Sequence, residues 1–184
     1  MIDYVGDISK ADAEVLANFA SCSTKILEFG CGASTQVLAS YSIGKLISLD
    51  TERLWLEKTA QHLIRLGIEV GKVQLLPFTF ILDEKNLAGS TFDLIFDDGV
   101  DHLRRSFALS IWPYLEPDGW LLFHDQRRKH DWDNAAALID RYWQEIGTVY
   151  YNHEDSNITC IQKRVKPAIY SNWQIDENID MSKW

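Results

Sequence analysis

Four short apolar runs in this chain each end in an acid: Ile26-Leu27-Glu28, Leu46-Ile47-Ser48-Leu49-Asp50, Leu94-Ile95-Phe96-Asp97-Asp98 and Leu121-Leu122-Phe123-His124-Asp125. Runs that are apolar at nearly every position read as strands buried on both faces, which is the pattern of a parallel sheet. The segments between them have helical periodicity. That alternation selects an α/β fold, a Rossmann-like, doubly wound, mainly parallel sheet with right-handed crossovers. Strand ends in such a sheet share one rim, so the four acids fall around one crevice.

The spacing predicts helices over 10–20 (N-capped by Ser9), 34–40, 51–66 (closed by Gly67), 101–114 and 131–146. Strands are expected over 25–29, 45–49, 72–76, 92–96 and 120–123. Residues 148–151 and 158–162 read as a closing antiparallel hairpin, giving seven strands. Glu116-Pro117-Asp118-Gly119 is a turn signal, and Trp132, Ala135, Ala136, Ile139, Trp143 and Ile146 share one helical face. Residues 77–90 fit a strand, a loop or a helical turn equally well.

With 184 residues and 46% hydrophobic content, the chain can build one core without metal or disulfide staples. Residues 1–164 read as that domain and 165–184 as a polar tail, whose Trp173 and Trp184 suggest docking. A net charge of −9 argues against nucleic acid or an anionic membrane surface as partner. No apolar run approaches the roughly 20 residues that span a bilayer, and the first residues lack the pattern of a signal peptide. Cys22, Cys31 and Cys160 have no paired spacing, as expected of free thiols in a reducing compartment such as the cytoplasm.

The first run leads into Gly30-Cys31-Gly32-Ala33-Ser34-Thr35, a tight turn that lets a ligand approach the backbone at the start of a helix. No lysine accompanies the glycines, so this is not a phosphate-cradling loop, and Thr35 stands where a dinucleotide site wants a third glycine. A nicotinamide oxidoreductase is disfavoured on that ground. Asp50, about 20 residues on, is placed to accept hydrogen bonds from a ribose diol, and Glu28 to hold an ammonium. The set suits a nucleoside carrying an amino acid. Each acid taken alone is equally an ordinary helix cap or loop residue.

Together, Glu28-Phe29-Gly30-Cys31-Gly32, Asp50, the run 92–99 and Leu115-Glu116-Pro117-Asp118-Gly119-Trp120 make the sequence similar to the class I S-adenosylmethionine-dependent methyltransferases. The likeness spans about residues 10–163. The order Asp98-Gly99, His102, His124-Asp125 resembles small-molecule O-methyltransferases acting on sugars, macrolides or catechols, many of them Mg²⁺-dependent. The resemblance implies S-adenosyl-L-methionine on Glu28, Gly30, Gly32, Ser34, Asp50, Thr51 and Asp97, with catalysis by Asp98, His102 and Asp125. It implies Mg²⁺ on Asp98, Asp125 and Gln126, although Gln126 replaces the usual second acid or asparagine and the 98–102 loop is one residue longer than usual. The metal-free alternative makes His102 or His124 a general base.

Arg104-Arg105 and Arg127-Arg128-Lys129-His130 flank the same rim and suggest a small-molecule acceptor bearing carboxylate or phosphate. No insertion forms a lid, which leaves the acceptor site open or completed by a second subunit in a homodimer. A cofactor-binding regulator without transferase activity is the rival reading. It would keep Glu28, Gly30, Gly32 and Asp50 and tolerate loss of Asp98 and Asp125.

Overall fold

Each strand of the sheet alternates its side chains between two helical layers, and both layers are apolar. A computed structural model describes residues 6–69 and 71–165. The strands are β1 (Lys25–Phe29), β2 (Lys45–Asp50), β3 (Val73–Pro77), β4 (Phe92–Asp97), β5 (Leu115–Phe123), β6 (Ile146–Tyr150) and β7 (Thr159–Lys163). They form one seven-stranded sheet in the order β3-β2-β1-β4-β5-β7-β6. β1 to β5 pair in parallel, and β7 runs antiparallel between β5 and β6. The expected architecture, including the closing antiparallel pair, is the one found.

The helices are α1 (Lys10–Ala20), α2 (Ala33–Tyr41), α3 (Arg53–Arg65), α4 (Glu84–Leu87), α5 (Asp101–Ile111) and α6 (Lys129–Tyr142). Ile26, Leu46, Leu94, Phe96 and Leu122 pack against Val15 and Leu16 of α1, Val37 and Leu38 of α2 and Leu63 of α3. Leu27, Phe29, Ile95, Leu121 and Phe123 pack against Phe107 and Ile111 of α5 and Ala135 and Leu138 of α6. The sheet is therefore covered on both sides, which is what lets its strands be apolar at consecutive positions.

Several boundaries differ from the expectation for local reasons. Residues 78–82 form a 3₁₀ turn leading into the one-turn α4, with the Phe78 ring tilted against those of Phe29 and Phe107. The Glu116–Gly119 turn is absorbed into β5 as an irregularity in its pairing with β4, with Asp118 in the left-handed region at φ 64°. α5 and α6 each stop early and finish in a 3₁₀ turn. In α6 the inward face is Asp131, Asn134, Ala135 and Leu138, while Trp132 and Trp143 are exposed, Trp143 at 67%. The tail beyond residue 165, with Trp173 and Trp184, lies outside the described residues.

Candidate active site

The chain turns from β1 outward to β2 and β3 on one side, and to β4 and β5 on the other. The crevice where that direction switches is the ligand position of an open α/β sheet. A cleft of about 300 Å³ opens there, lined by the β1–α2 turn, the end of β2 with the start of α3, and residues 98–100 after β4. Its volume is at the lower end of the range for small-ligand sites.

The glycines shape its floor. Gly30 has φ +96°, and a Cβ there would meet the Asp98 carbonyl oxygen at 2.2 Å. A Cβ on Gly99 would meet the Phe29 ring at 2.2 Å. The two loops thus pack backbone on backbone, fixed by the Asp98 amide donating to the Phe29 carbonyl at 2.8 Å. Asp50 ties the third side: its Oδ2 accepts from the Cys31 amide at 3.0 Å and its Oδ1 from the Glu52 amide at 2.8 Å. Each carboxylate oxygen keeps a lone pair for a ligand.

Of the expected cofactor residues, Gly30, Gly32, Ser34, Asp50 and Thr51 line the cleft together with Asp98. Glu28 and Asp97 do not. Glu28 points to the α2 side of the sheet, fully buried, where its Oε2 accepts from Thr35 Oγ1 at 2.6 Å and from Ser48 Oγ. Thr35 Oγ1 in turn accepts from the Gly32 amide at 2.9 Å. The acid at the end of β1 therefore holds the turn from beneath. Burial pushes its carboxyl up to about 7 despite the hydrogen bonds from Ser34, Ser48 and Thr35. Asp97 is also fully buried, neither of its oxygens has a well-formed hydrogen bond, and burial pushes its pKa well above the ordinary value against the pull of Arg104.

Beyond the cleft, the ends of β4 and β5 carry a lattice of charges. Arg104 of α5 is buried at its centre. Its Nη2 lies 3.1 Å from Asp98 Oδ1 and 3.2 Å from Asp125 Oδ2, its Nη1 lies 3.2 Å from Asp131 Oδ1, and its Nε donates to the Gly99 carbonyl at 2.6 Å. His124 Nδ1 is 3.0 Å from the same Asp98 oxygen, and its Nε2 is 3.4 Å from Asp12 Oδ2 of α1. Burial alone would lower the His124 pKa, but the carboxylates of Asp12 and Asp98 outweigh it and hold the ring at about 10. A ring held that high keeps its proton through neutral pH. Arg128 is paired with Asp125, Asp101 and Asp131.

No family model and no curated protein matches the chain. Solved structures do. The O-methyltransferase TomG from Streptomyces achromogenes, in complex with S-adenosylmethionine, superposes with a TM-score of 0.70 over 86% of this chain and 82% of its own, at 14% identity. An O-methyltransferase from Bacillus cereus in complex with S-adenosylhomocysteine gives 0.69 over 85% and 83%, at 15% identity. The S-adenosylhomocysteine-bound methyltransferase PaMTH1 from Podospora anserina gives 0.65 over 86% and 80%, at 18% identity. The fold is that of the class I S-adenosylmethionine-dependent O-methyltransferases.

Against that methyltransferase fold, the remaining expected residues divide clearly. Asp98 is on the cleft; Asp125 stands behind it, engaged by Arg104, Arg128 and Asn157 Nδ2. His102 is exposed on the first turn of α5 with no hydrogen bond or ion pair among the described residues. Gln126 is buried and donates its amide to the His124 and Asp131 carbonyls at 3.2 and 3.0 Å. The arginines are also spoken for: Arg105 meets Asn134, and Arg127 donates to the Asp155 carbonyl at 2.6 Å.

The Mg²⁺ expectation meets a physical obstacle. Ligand atoms of Asp98, His124 and Asp125 lie within 4.8 Å of one another, and the Gln126 Oε1 is buried without a hydrogen bond, which is what a cation site would show. Yet Mg²⁺ needs oxygens at about 2.1 Å in octahedral array, and the Arg104 guanidinium already stands between the two carboxylates. The residues present do not fit the metal.

Sequence reasoning set Arg104 on the rim as an anion-binding candidate rather than as its buried counter-charge, and missed Asp12 and Trp55. Arg104 and Asp12 are charges on apolar helical stripes: Arg104 recurs with Phe107, Ala108 and Ile111, and Asp12 with Val15, Leu16 and Ala20. A charge at a core position was the readable signal. Trp55 looked like core spacing but lines the cleft beside Asp50, with Lys58 Nζ 4.9 Å from its ring centroid.

Proposed function

We propose that the chain transfers a methyl group from S-adenosylmethionine to a hydroxyl oxygen of a small molecule. The observation that carries this reading is the pairing of the Gly30–Gly32 turn with Asp50 across one cleft at the switch point of the sheet. Asp50 would accept from the ribose hydroxyls, Trp55 would offer an aromatic face on the base side, and the backbone of the turn would take the amino-acid end.

Asp98 is the residue positioned to meet the acceptor. Its Oδ1 is held by Arg104 and His124, while its Oδ2 takes no hydrogen bond among the described residues. A hydroxyl bonded to that oxygen is oriented for in-line attack on the sulfonium methyl: the oxygen–carbon bond forms, the carbon–sulfur bond breaks, and Asp98 accepts the proton. Positioning supplies most of the acceleration in such a displacement.

The acceptor that suits this rim is uncharged, because Arg104 and Arg128 are each already paired with carboxylates of the rim. Among the described residues no helix is long and apolar enough to cross a membrane. The cytoplasm, inferred from the unpaired thiols, is the compartment we propose.

Calorimetry with S-adenosylmethionine, S-adenosylhomocysteine and NAD tests the reading. Binding of both sulfur nucleosides and not of NAD is expected. Silence from both at millimolar concentration would remove it. The regulator reading is separated by assaying methyl transfer in the wild type and in Asp98→Asn, with S-adenosylhomocysteine binding showing that the cleft is kept: transfer by the wild type that is lost in the variant belongs to an enzyme, and no transfer by either belongs to a regulator.

A further inference from the structure

We infer that Arg104 is the resident cation of the acceptor rim, and that it excludes a divalent ion from the acids at the ends of β4 and β5. Those acids are the residues that could gather a metal. Asp98, His124 and Asp125 bring three ligand atoms within 4.8 Å, and Asp101, His130 and Asp131 bring three more alongside. Carboxylates massed in this way repel one another and need a compensating charge. The structure supplies it from within the chain.

The geometry is specific. One guanidinium reaches an acid from each element of the rim: Asp98 after β4 at 3.1 Å, Asp125 after β5 at 3.2 Å, Asp131 on α6 at 3.2 Å and Asp101 on α5 at 3.7 Å. Its Nε is anchored on the Gly99 carbonyl, so the planar group is fixed in orientation as well as in charge. The side chain is buried to 6% exposure, too enclosed to swing out and admit an ion without opening the packing of α5 on α6. His124 and Arg128 share with Arg104 the same two oxygens, Asp98 Oδ1 and Asp125 Oδ2. A divalent ion entering here would have to displace a buried cation, not a few water molecules.

The consequence for the proposed methyl transfer, on which this part of the inference rests, concerns the acceptor. A metal in such a rim holds two adjacent oxygens by chelation. Arg104 does not, since its Nε, Nη1 and Nη2 are already engaged by Gly99, Asp131, Asp98 and Asp125, so the acceptor is held through one hydroxyl on Asp98. A vicinal diol then has no advantage over a single hydroxyl.

The test uses the full chain and Mn²⁺ alone, read by the loss of the free-ion electron paramagnetic resonance signal at pH 7.5. The wild type is expected to take up no Mn²⁺ at millimolar concentration. Arg104→Gln, which keeps a donor and removes the charge, should bind one ion at least about tenfold tighter than the wild type, and adding Asp98→Asn should abolish that gain. Arg104→Lys, which keeps the charge, should stay metal-free. One equivalent bound by the wild type and lost on Asp98→Asn or Asp125→Asn would overturn the inference, as would a folded Arg104→Gln that binds no better than the wild type. If Arg104→Gln does not fold, the wild-type titration still decides. These outcomes are independent of the cofactor: failure of S-adenosylmethionine to bind sinks the methyl-transfer reading alone, and a wild-type Mn²⁺ site sinks this inference alone.

Discussion

The Cys31 amide donates to the Asp50 carboxylate at 3.0 Å, joining the glycine turn after β1 to the end of β2. One side chain thereby sets the shape of the cleft and leaves acceptor capacity facing into it. Asp50→Ala should weaken S-adenosylmethionine binding by about 10- to 100-fold, the worth of a charge-assisted hydrogen bond. Calorimetry on the variant checks this, with circular dichroism to show that the fold is kept. Unchanged affinity would place the ribose elsewhere.

Gly30 and Gly99 are fixed by contact as well as by dihedral angle. Gly30→Ala and Gly99→Ala should each cost about 2 kcal/mol or more, because the new Cβ runs into backbone or into the buried Phe29 ring. Gly67, at φ +69° with nothing within 4 Å of its Cβ position, is the control. Gly67→Ala should cost about 1 kcal/mol, from the backbone conformation alone. Urea denaturation of the three variants separates the two effects; equal losses would mean that the close approach of the loops carries no weight.

Most of the fold was legible in the sequence because the elements are locally consistent: β1 and α1 fall on their expected residues, and the closing antiparallel pair sits where the polar turn placed it. The cleft glycines and Asp50 were legible because the switch-point geometry demands them. The acids were harder. Four of them end strands, but alternation along a strand sends neighbours to opposite faces, so Glu28 and Asp97 turn into the layers while Asp98 reaches the cleft. Counting acids on a rim does not show which are compensated. Arg104 meets Asp125 and Asp131, and Asp12 meets His124, only when α5 and α1 dock on the two faces of the sheet.

Glu28 carries a pH signature. Burial holds its folded carboxyl at about 7 against 4.5 for the free group. Below 4.5 both states are protonated and nothing is lost. As pH rises from there toward 7, the unfolded chain releases the proton first and stability falls, by up to about 3 kcal/mol for a shift of this size. Glu28→Gln keeps an acceptor for Thr35 and Ser48 and has no proton to lose. Its stability relative to the wild type should therefore grow between pH 5 and pH 8, and its cofactor affinity should stay within a few-fold. A pH-independent difference would show that the carboxyl is not desolvated.

The Asp12–His124 pair runs the other way. His124 is raised in the folded state to about 10, so its contribution is complete below 6.5 and is lost as pH climbs through 10. Burial of Asp12 would raise its pKa, but His124, Ser9 and the Asn157 amide outweigh that and lower it, so its contribution is present above 3.8 and lost in acid. Asp12→Asn should cost about 3 kcal/mol at pH 7, as breaking a buried pair does, and the gap should narrow above pH 10. Nitrogen-detected magnetic resonance should show the His124 pKa falling in the variant; a ring that titrates unchanged would mean that Asp98 alone sustains it.

The most direct measurement is a crystal structure of the chain grown with S-adenosylhomocysteine. The account predicts the nucleoside in the cleft at the ends of β1, β2 and β4, with ribose hydroxyls on the Asp50 carboxylate and the sulfur near Asp98. Density instead in either cavity at the opposite end of the sheet, beside Lys25, Lys45 and Lys72 or beside Phe19 and Trp120, would contradict it.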